Sequence, residues 1–388
     1  MEKKDKSFVW KIISCVLLVA FIAVSCLYFG SIKKNDLKEN VSVNDNLQEK
    51  SISDINETAL EEKNNSKNEK VLSLWTDSSK LKSELVEYMN AITDENSSDF
   101  IPVENRIAVF DMDGTLCCET DPGYFDHKLL YHRVMEDEEY KERASEEEKE
   151  TAQIIQTYFE TGEYPKGLDV KHGKAVATAF KGMTLDEFDA YVKKYRDEEM
   201  QGYNNMTNGQ AFYRPMLEVV DYLQANDFKV YIVSGTDRLI TRGLAEGVIN
   251  IPLSQMIGSD ESLVATNQGE KDGLEYTFSK DDSVITGGEF LIKNLKMNKV
   301  SVIEQEIGMK PVLCFGNSGG DEAMANFTIS NNKYKSAAYM LCCDDVEREN
   351  GNIEKANKMY ESCEKNGYTA ISMKNDWKTI YGDNVTRK

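Results

Sequence analysis

The chain has 388 residues, of which 29% are charged and 40% are hydrophobic, and its formal net charge is -21. This composition is that of a folded globular protein, and the length is sufficient for a tail followed by one large domain or two smaller ones. The strong negative charge argues against a nucleic-acid partner, whose phosphates require clustered Lys and Arg. A small phosphorylated ligand remains compatible, because the local field and not the net charge decides its binding.

The amino-terminal segment predicts a membrane anchor. Lysines cluster in a basic end, 1–11, and the apolar run within 12–30 is just long enough to cross a bilayer as a helix. The basic end favours a cytoplasmic amino terminus, so we expect a single-pass cell-membrane protein with its folded part on the extracytoplasmic side. Two alternatives stay open: a cleaved signal peptide, which gives a secreted protein, and a lipoprotein processed at Cys26.

The next segment, 31–70, is rich in Asn, Lys, Glu and Ser and has no aromatic residue, which predicts a disordered linker. Segment 71–116 is expected to begin an α/β core. Its first part has periodic apolar residues that predict one or two helices, and a strand follows at its end.

Four short apolar runs predict strands that are covered on both faces, as in a parallel sheet flanked by helices. Helical patterns at 216–225 and 300–307 lie between them. We therefore expect a doubly wound, mostly parallel, Rossmann-like sheet whose ligand site lies at the carboxyl ends of the strands. The four predicted strands are 107–110, 230–233, 312–315 and 337–343.

Segment 117–212 interrupts this alternation. It is highly charged and helix-prone, and it is far longer than an ordinary crossover between two strands. We interpret it as a helical cap inserted over the site, and 213–388 as the remainder of the α/β core.

The cysteines beyond residue 30 match no zinc-binding spacing. Burial as apolar side chains is expected for them. A disulfide between Cys363 and either Cys342 or Cys343 is the alternative in an exported protein.

The most informative segment is Asp-Met-Asp-Gly-Thr at 111–115, directly after the first predicted strand. Residues alternate direction along a strand, so Asp111 and Asp113 are expected to point to the same side. Two adjacent carboxylates repel each other unless a cation lies between them. An oxygen-only site of this kind suits Mg²⁺, which often binds one or two carboxylates together with a substrate phosphate.

With its downstream motifs, this segment resembles the haloacid dehalogenase superfamily of phosphohydrolases, in particular the phosphoserine-phosphatase-like branch. The second motif is matched by Val-Ser-Gly at 233–235 and the third by Lys299, with Lys296 and Lys293 as competitors. The fourth is approached by the loop 316–321. The resemblance extends over about residues 104–345.

The resemblance implies a role for each motif. Asp111 would attack phosphorus and form an aspartyl-phosphate, and Asp113 would act as general acid and base. An aspartate at position 113 is typical of the phosphatases of the superfamily and not of its dehalogenases. The hydroxyl of Ser234 and the amide of Gly235 would donate to the phosphoryl oxygens, and Lys299 would offset their charge.

Further residues complete the expected site. Thr115 is expected at the phosphate, and Asn317 stands where the family usually has Asp, which predicts weaker Mg²⁺ binding. Glu119 could meet a substrate ammonium group and Arg133 a carboxylate. The predicted metal ligands are Asp111, Asp113, Asn317 and Asp321.

The predicted activity is Mg²⁺-dependent hydrolysis of a small phosphorylated metabolite. One alternative is phosphocholine hydrolysis, with Tyr124, Phe125 and Tyr131 as an aromatic box. A second is a catalytically degenerate binding module, which the asparagine at position 317 suggests. The sequence does not predict the oligomeric state.

Overall fold

The computed structural model describes residues 71–388. The basic end 1–11, the predicted anchor 12–30 and the predicted linker 31–70 lie outside these residues. Within the described range, every helix is too short or too polar to span a lipid bilayer.

A seven-stranded sheet forms the centre of the described chain. The described chain has nine strands, of which β2 and β9 pair with each other in a separate two-stranded sheet. They are β1 (Ile107–Phe110), β2 (Tyr203–Asn204), β3 (Lys229–Asp237), β4 (Met256–Ala265), β5 (Val284–Ile292), β6 (Leu313–Gly316), β7 (Ala337–Cys342), β8 (Thr369–Ser372) and β9 (Thr386–Arg387). The order in the large sheet is β5-β4-β3-β1-β6-β7-β8, and only the edge pair β4–β5 is antiparallel. The predicted α/β fold with a mostly parallel sheet is confirmed.

Helices cover the sheet and fill the long insertion between β1 and β3. Two of them, α2 and α8, continue into the π-helical turns His132–Glu136 and Ile303–Ile307. The helices are α1 (Lys80–Thr93), α2 (Phe125–Tyr131), α3 (Glu146–Thr161), α4 (Leu168–Ala179), α5 (Leu185–Arg196), α6 (Arg214–Gln224), α7 (Arg238–Ala245), α8 (Met297–Val302), α9 (Glu322–Ile329), α10 (Ile353–Asn366) and α11 (Met373–Asp376).

Strand β1 lies in the middle of the sheet because all four of its residues are apolar and buried. It pairs in parallel with β3 on one side and β6 on the other. Phe110 at its end stacks on Phe315 of β6, with ring centroids 4.2 Å apart. This packing fixes the point at which Asp111 leaves the sheet.

Helices α2 to α5 form the helical insertion that the charged segment predicts. Both α3 and α5 begin with a capping box, made by Ser145 with Glu148 and by Thr184 with Glu187. The hairpin β4–β5 contributes to the same region, since the hydroxyl of Thr286 donates to a carbonyl in the turn after α4. The exact limits of the cap, 117–212, stay a prediction.

Every cysteine in residues 71–388 is free, and all but Cys343 are buried. The expected burial is found, and the alternative disulfide from Cys363 to Cys342 or Cys343 is absent from the described chain.

Glu261 on β4 is a buried carboxylate whose two oxygens have no hydrogen-bond partner within the described chain. Burial, and then the charge of Asp237, raises the pKa of Glu261 to about 9. In the unfolded chain this carboxyl group loses its proton near pH 4.5, whereas in the folded chain it keeps the proton up to about pH 9. Raising the pH between these two values therefore favours the unfolded state, and the free energy of unfolding falls. We expect Glu261→Gln to lose this dependence.

The measurement is thermal unfolding of both proteins at pH 5 and pH 8. From pH 5 to pH 8, the melting temperature of Glu261→Gln should rise by several degrees relative to that of the wild type. This corresponds to a relative gain in the free energy of unfolding on the order of 2 kcal/mol. Glu275→Gln, at an exposed position, is the control and should show no such change. An equal difference at both pH values would contradict the prediction.

Candidate active site

Three of the predicted site residues meet at the carboxyl edge of the sheet. Asp111 follows β1, Ser234 lies in β3, and Asn317 follows β6. Because β1 pairs in parallel with both β3 and β6, these positions are neighbours. The amide of Asp111 donates to the carbonyl of Phe315 at 2.9 Å, which extends the pairing of β1 and β6 as far as the predicted nucleophile.

Lys299 joins two carboxylates of the site. It lies in the first turn of α8, is fully buried, and its Nζ donates to Oδ1 of Asp111 at 2.5 Å and to Oδ1 of Asp321 at 2.7 Å. Burial opposes the charge of this ammonium group, but the two carboxylates outweigh burial and raise the pKa of Lys299. Lys299 therefore remains charged at any ordinary pH.

The competing Lys296 occupies a different position. It immediately precedes α8 with a backbone φ of 56°, lines the cavity, and forms no ion pair within residues 71–388. Of the two lysines, only Lys299 contacts the predicted nucleophile.

Asp113 is oriented by Thr236, whose hydroxyl donates to its Oδ2 at 2.8 Å. Burial, and then the charge of Asp126, raises the pKa of Asp113 well above the usual range. Burial and the neighbouring Asp321 likewise raise the pKa of Asp111, against the lowering effect of Lys299. A carboxyl group that titrates closer to neutral pH is better suited to proton transfer, which is the role expected of Asp113.

Asp321 organises the loop after β6. Its Oδ2 accepts from the backbone amides of Asn317 at 3.1 Å and Ser318 at 3.0 Å, and also from the Ser318 hydroxyl. Its Oδ1 is occupied by Lys299. Asp321 therefore positions Asn317 and Lys299. Its predicted role at the metal site stays a prediction.

The structure corrects the predicted phosphate contact of Thr115. Thr115 is fully buried and does not line the cavity. Its hydroxyl donates to Oδ1 of Asn317 at 3.3 Å, because the turn after β1 directs it toward the loop after β6. Thr115 therefore orients the amide of Asn317.

Gly114 has to be glycine. Its φ is 76°, and a Cβ atom there would lie 1.9 Å from Nδ2 of Asn317 and 2.5 Å from Cδ of Glu119. Any side chain would force both groups away from the turn, and the left-handed backbone already disfavours one.

Ser234 is fully buried at its predicted strand end. Its Oγ accepts the amide of Thr236 at 3.0 Å, and within residues 71–388 no acceptor takes its hydroxyl proton. Gly235 and Thr236 form the cavity wall beside it. The contacts of Ser234 and Gly235 with a phosphoryl group stay predictions.

A cavity of about 240 Å³ opens onto Asp111 and Asp113. A second cavity, of about 480 Å³, shares Glu119 and Tyr124 with the first and includes Asn317. These sizes suit a small-molecule ligand. The remaining wall of the first cavity consists of Asp126, His127, Tyr164, Asp169, Gly235, Thr236, Lys293, Leu295, Lys296, Ser318, Gly320 and Asp321.

Of the two predicted substrate contacts, only Glu119 faces the cavity. Burial raises the pKa of Glu119 to about 7. The structure corrects the predicted contact of Arg133 with a substrate carboxylate. Arg133 is buried in the cap, where it forms an ion pair with Asp137 at 2.6 Å and lies 4.1 Å from the ring centre of Tyr140. Its charge is thus used within the cap and does not reach the cavity.

The predicted aromatic box is only partly present. Tyr124 lines the cavity, but Phe125 is buried against Tyr195 and Tyr131 packs on the core. The second aromatic ring at the cavity is Tyr164, 6.2 Å from Tyr124 between ring centroids. A helical stripe does not distinguish residues that face the core from those that face a cavity.

Several cavity residues were not among the predicted site residues. Thr236 follows the Val-Ser-Gly motif by one position, so its proximity to Ser234 was the available signal. Asp126, His127 and His172 converge only because α2 and α4 are adjacent. Burial lowers the pKa of both His127 and His172, so both imidazoles are neutral at neutral pH.

The donor set at the strand ends fits Mg²⁺. Asp111 and Asp113 offer carboxylates and Asn317 an amide oxygen, and every donor is an oxygen, as Mg²⁺ prefers. Within the described chain, Lys299 is the only buried lysine in an ion pair with one of these carboxylates, that of Asp111. A divalent cation bound by Asp111 and Asn317 would offset the remaining negative charge.

Comparison with known proteins assigns the family. Residues 108–326 match the haloacid dehalogenase-like hydrolases. No curated protein matches the chain.

Solved structures resemble the chain at low identity. A conserved protein of unknown function from Anaerococcus prevotii is 15% identical over 75% of this chain and 91% of its own, with a TM-score of 0.46. Cytosolic 5'-nucleotidase IIIB bound to cytidine is 14% identical over 79% of this chain and 91% of its own, with a TM-score of 0.45. A phosphoserine phosphohydrolase-like protein from Francisella tularensis is 14% identical over 66% of this chain and 92% of its own, with a TM-score of 0.35.

At these identities and scores the solved structures carry no inference about the substrate. The family match, in contrast, extends over more than half of the chain and includes every motif from Asp111 to Asp321. The chain therefore belongs to the haloacid dehalogenase-like hydrolases.

Proposed function

We propose that this protein is a phosphatase that hydrolyses small phosphomonoesters with Mg²⁺, through an aspartyl-phosphate at Asp111. One observation carries the proposal: the carboxylate of Asp111 is paired with a buried lysine and opens onto a small cavity that it shares with Asp113. The negative charge that clusters around Asp111 makes a divalent cation necessary for an anionic substrate to approach.

In the proposed reaction, an oxygen of Asp111 attacks phosphorus while the bond to the leaving alcohol breaks. Asp113 gives its proton to that alcohol, then accepts one from the water that attacks the aspartyl-phosphate, which releases phosphate and regenerates Asp111. Thr236 holds Asp113 in position. Lys299 compensates charge on the nucleophile, and Mg²⁺, when bound, would compensate charge on the phosphoryl oxygens.

For the substrate, we propose a phosphorylated metabolite that carries an ammonium group, as phosphoserine does. Glu119 and Asp169 both line the cavity and would attract such a group. In place of Arg133, Lys293 and Lys296 on the same wall would meet a substrate carboxylate.

Phosphocholine is the second candidate, and one observation favours it. Tyr124 and Tyr164 face the cavity beside Glu119, and an aromatic surface near carboxylates attracts a quaternary ammonium group.

The test is phosphate release from p-nitrophenyl phosphate and from a panel of phosphomonoesters, with Mg²⁺ and after chelation. Activity that requires Mg²⁺ supports the proposal, and preference for phosphoserine over phosphocholine, or the reverse, decides between the two candidates. No release from any ester, together with measurable binding of one, would instead establish the degenerate binding module.

Asn317→Asp is expected to tighten Mg²⁺ binding. The change adds a negative charge next to Asp111 and Glu119, and a stronger interaction of ~1.4 kcal/mol would lower the Mg²⁺ concentration for half-maximal activity about tenfold. The control is Asn384→Asp, which adds the same charge at an exposed site outside both cavities. The same half-maximal Mg²⁺ concentration in both variants would show that Asn317 does not hold the ion.

A further inference from the structure

Three cap residues converge beside the phosphate site without a part in the proposed reaction. Asp126 and His127 lie in the first turn of α2, and His172 lies in α4. All three are at least 97% buried. Each offers a ligand atom, and these atoms lie within 4.8 Å of one another.

A hydrogen bond shows which ring nitrogen of His172 carries the proton. Its Nε2 lies 3.2 Å from the backbone carbonyl of Asp126, and because a carbonyl only accepts, this nitrogen carries the proton. In the neutral ring, Nδ1 then holds a lone pair. That lone pair faces Oδ2 of Asp126 at 3.7 Å and has no hydrogen-bond partner within the described chain.

His127 contributes a second unpartnered nitrogen to the cluster. Its Nδ1 is buried and has no partner within residues 71–388. Its ring lies 4.3 Å from that of His172 between centroids, at an angle of 89°. Buried polar atoms are nearly always hydrogen-bonded, so two unpartnered nitrogens in one cluster indicate a missing ligand.

We propose that Asp126, His127 and His172 bind a divalent transition-metal ion such as Zn²⁺, at a site separate from the Mg²⁺ site at Asp111. Two imidazoles and a carboxylate are ligands that Zn²⁺ and Co²⁺ prefer, whereas Mg²⁺ prefers oxygen alone. The hydrogen bond from His172 to the carbonyl of Asp126 orients the ring as in known metal sites, where the second imidazole nitrogen is held by an acceptor.

The position of the cluster gives the ion a free coordination site. Three protein ligands leave a tetrahedral ion with one open position. Asp126 and His127 both line the cavity that contains Asp111, so an ion held by this cluster would lie at the wall of that cavity. The competing cation is Lys293 on the same wall, but no lysine or arginine of the described chain approaches the Asp126 carboxylate within 4 Å.

The experiment titrates the full-length protein with Co²⁺ alone, in an Asp111→Asn background that weakens the Mg²⁺ site. We expect one Co²⁺ per chain, with the visible absorption of a four- or five-coordinate ion bound to imidazole. Adding His127→Gln or His172→Gln should weaken this binding at least about 100-fold. Adding His132→Gln is the control, since that remaining histidine of the chain pairs with Glu136 outside the cluster.

The proposal is overturned if Co²⁺ binding in the Asp111→Asn background is absent, or if it is unchanged by both His127→Gln and His172→Gln. Should either variant fail to fold, the anomalous scattering of Co²⁺ in crystals of the Asp111→Asn protein decides instead. A peak between Asp126, His127 and His172 supports the site, and peaks only elsewhere refute it. None of these outcomes depends on phosphatase activity.

Discussion

Replacing Asp111 with asparagine is expected to reduce kcat for phosphomonoester hydrolysis by about 10⁴-fold or more. An amide has nearly the same size but cannot form the covalent phosphoryl intermediate, and loss of a catalytic nucleophile commonly costs on the order of 10⁴ to 10⁶ in kcat. The fold should persist, because Lys299 keeps its contact with Asp321. The measurement is steady-state release of p-nitrophenol.

The control for this prediction is Asp272→Asn at an exposed position, which should retain the wild-type rate. Melting temperatures of all three proteins separate chemical loss from unfolding. If Asp111→Asn keeps more than about a tenth of the wild-type kcat, then Asp111 is not the nucleophile.

Lys299→Met should have the second-largest effect, on both catalysis and stability. Removing a charge-compensating donor typically costs about 2.7–4 kcal/mol of transition-state stabilisation, so kcat/KM should fall about 10²- to 10³-fold. The buried carboxylates of Asp111 and Asp321 also lose their shared partner, and breaking a buried ion pair costs about 3–5 kcal/mol. Kinetics and chemical denaturation measure the two losses separately.

Lys296→Met is the matched control for this variant. Lys296 lies next to the same helix and has no ion pair within residues 71–388. Lys296→Met should therefore leave the free energy of unfolding nearly unchanged and lower kcat much less than Lys299→Met. A larger loss of kcat in Lys296→Met would assign the third motif to Lys296.

The sequence predicts the centre of the fold well, because its signal is unusually direct. The runs 107–110 and 312–315 are apolar without interruption, and both lie in the interior of the sheet with helices on each face. Strands β4 and β5, at one side of the sheet, escaped prediction, since β4 contains Asp260 and Glu261 and β5 is largely exposed. Burial on one face leaves a weaker pattern than burial on both.

Strand-end residues were predictable for the same reason. Once β1, β3 and β6 are parallel neighbours, Asp111, Ser234 and Asn317 must share one edge. Lys299 and Asp321 also reach that edge, but their mutual contact depends on how α8 approaches the loop after β6. The packing of α8 against that loop cannot be predicted from the sequence pattern alone.

Residues in the cap could not be assigned from spacing. Arg133 and His127 lie on one short stretch of chain, yet the first pairs inside the cap and the second faces the cavity. Their directions depend on how α2 packs against α3, α4 and α5, which is tertiary information. The same holds for His172, which joins Asp126 across 46 positions of sequence.

Detection of the phosphorylated enzyme tests the central mechanism most directly. In Asp113→Asn, the general acid and base is lost, which should slow attack by water and allow the aspartyl-phosphate to accumulate with an activated substrate such as p-nitrophenyl phosphate. Acid quenching and peptide mass spectrometry should then locate one phosphoryl group on Asp111. A phosphoryl group on another residue would contradict the mechanism, as would active enzyme in which no phosphorylated peptide can be trapped.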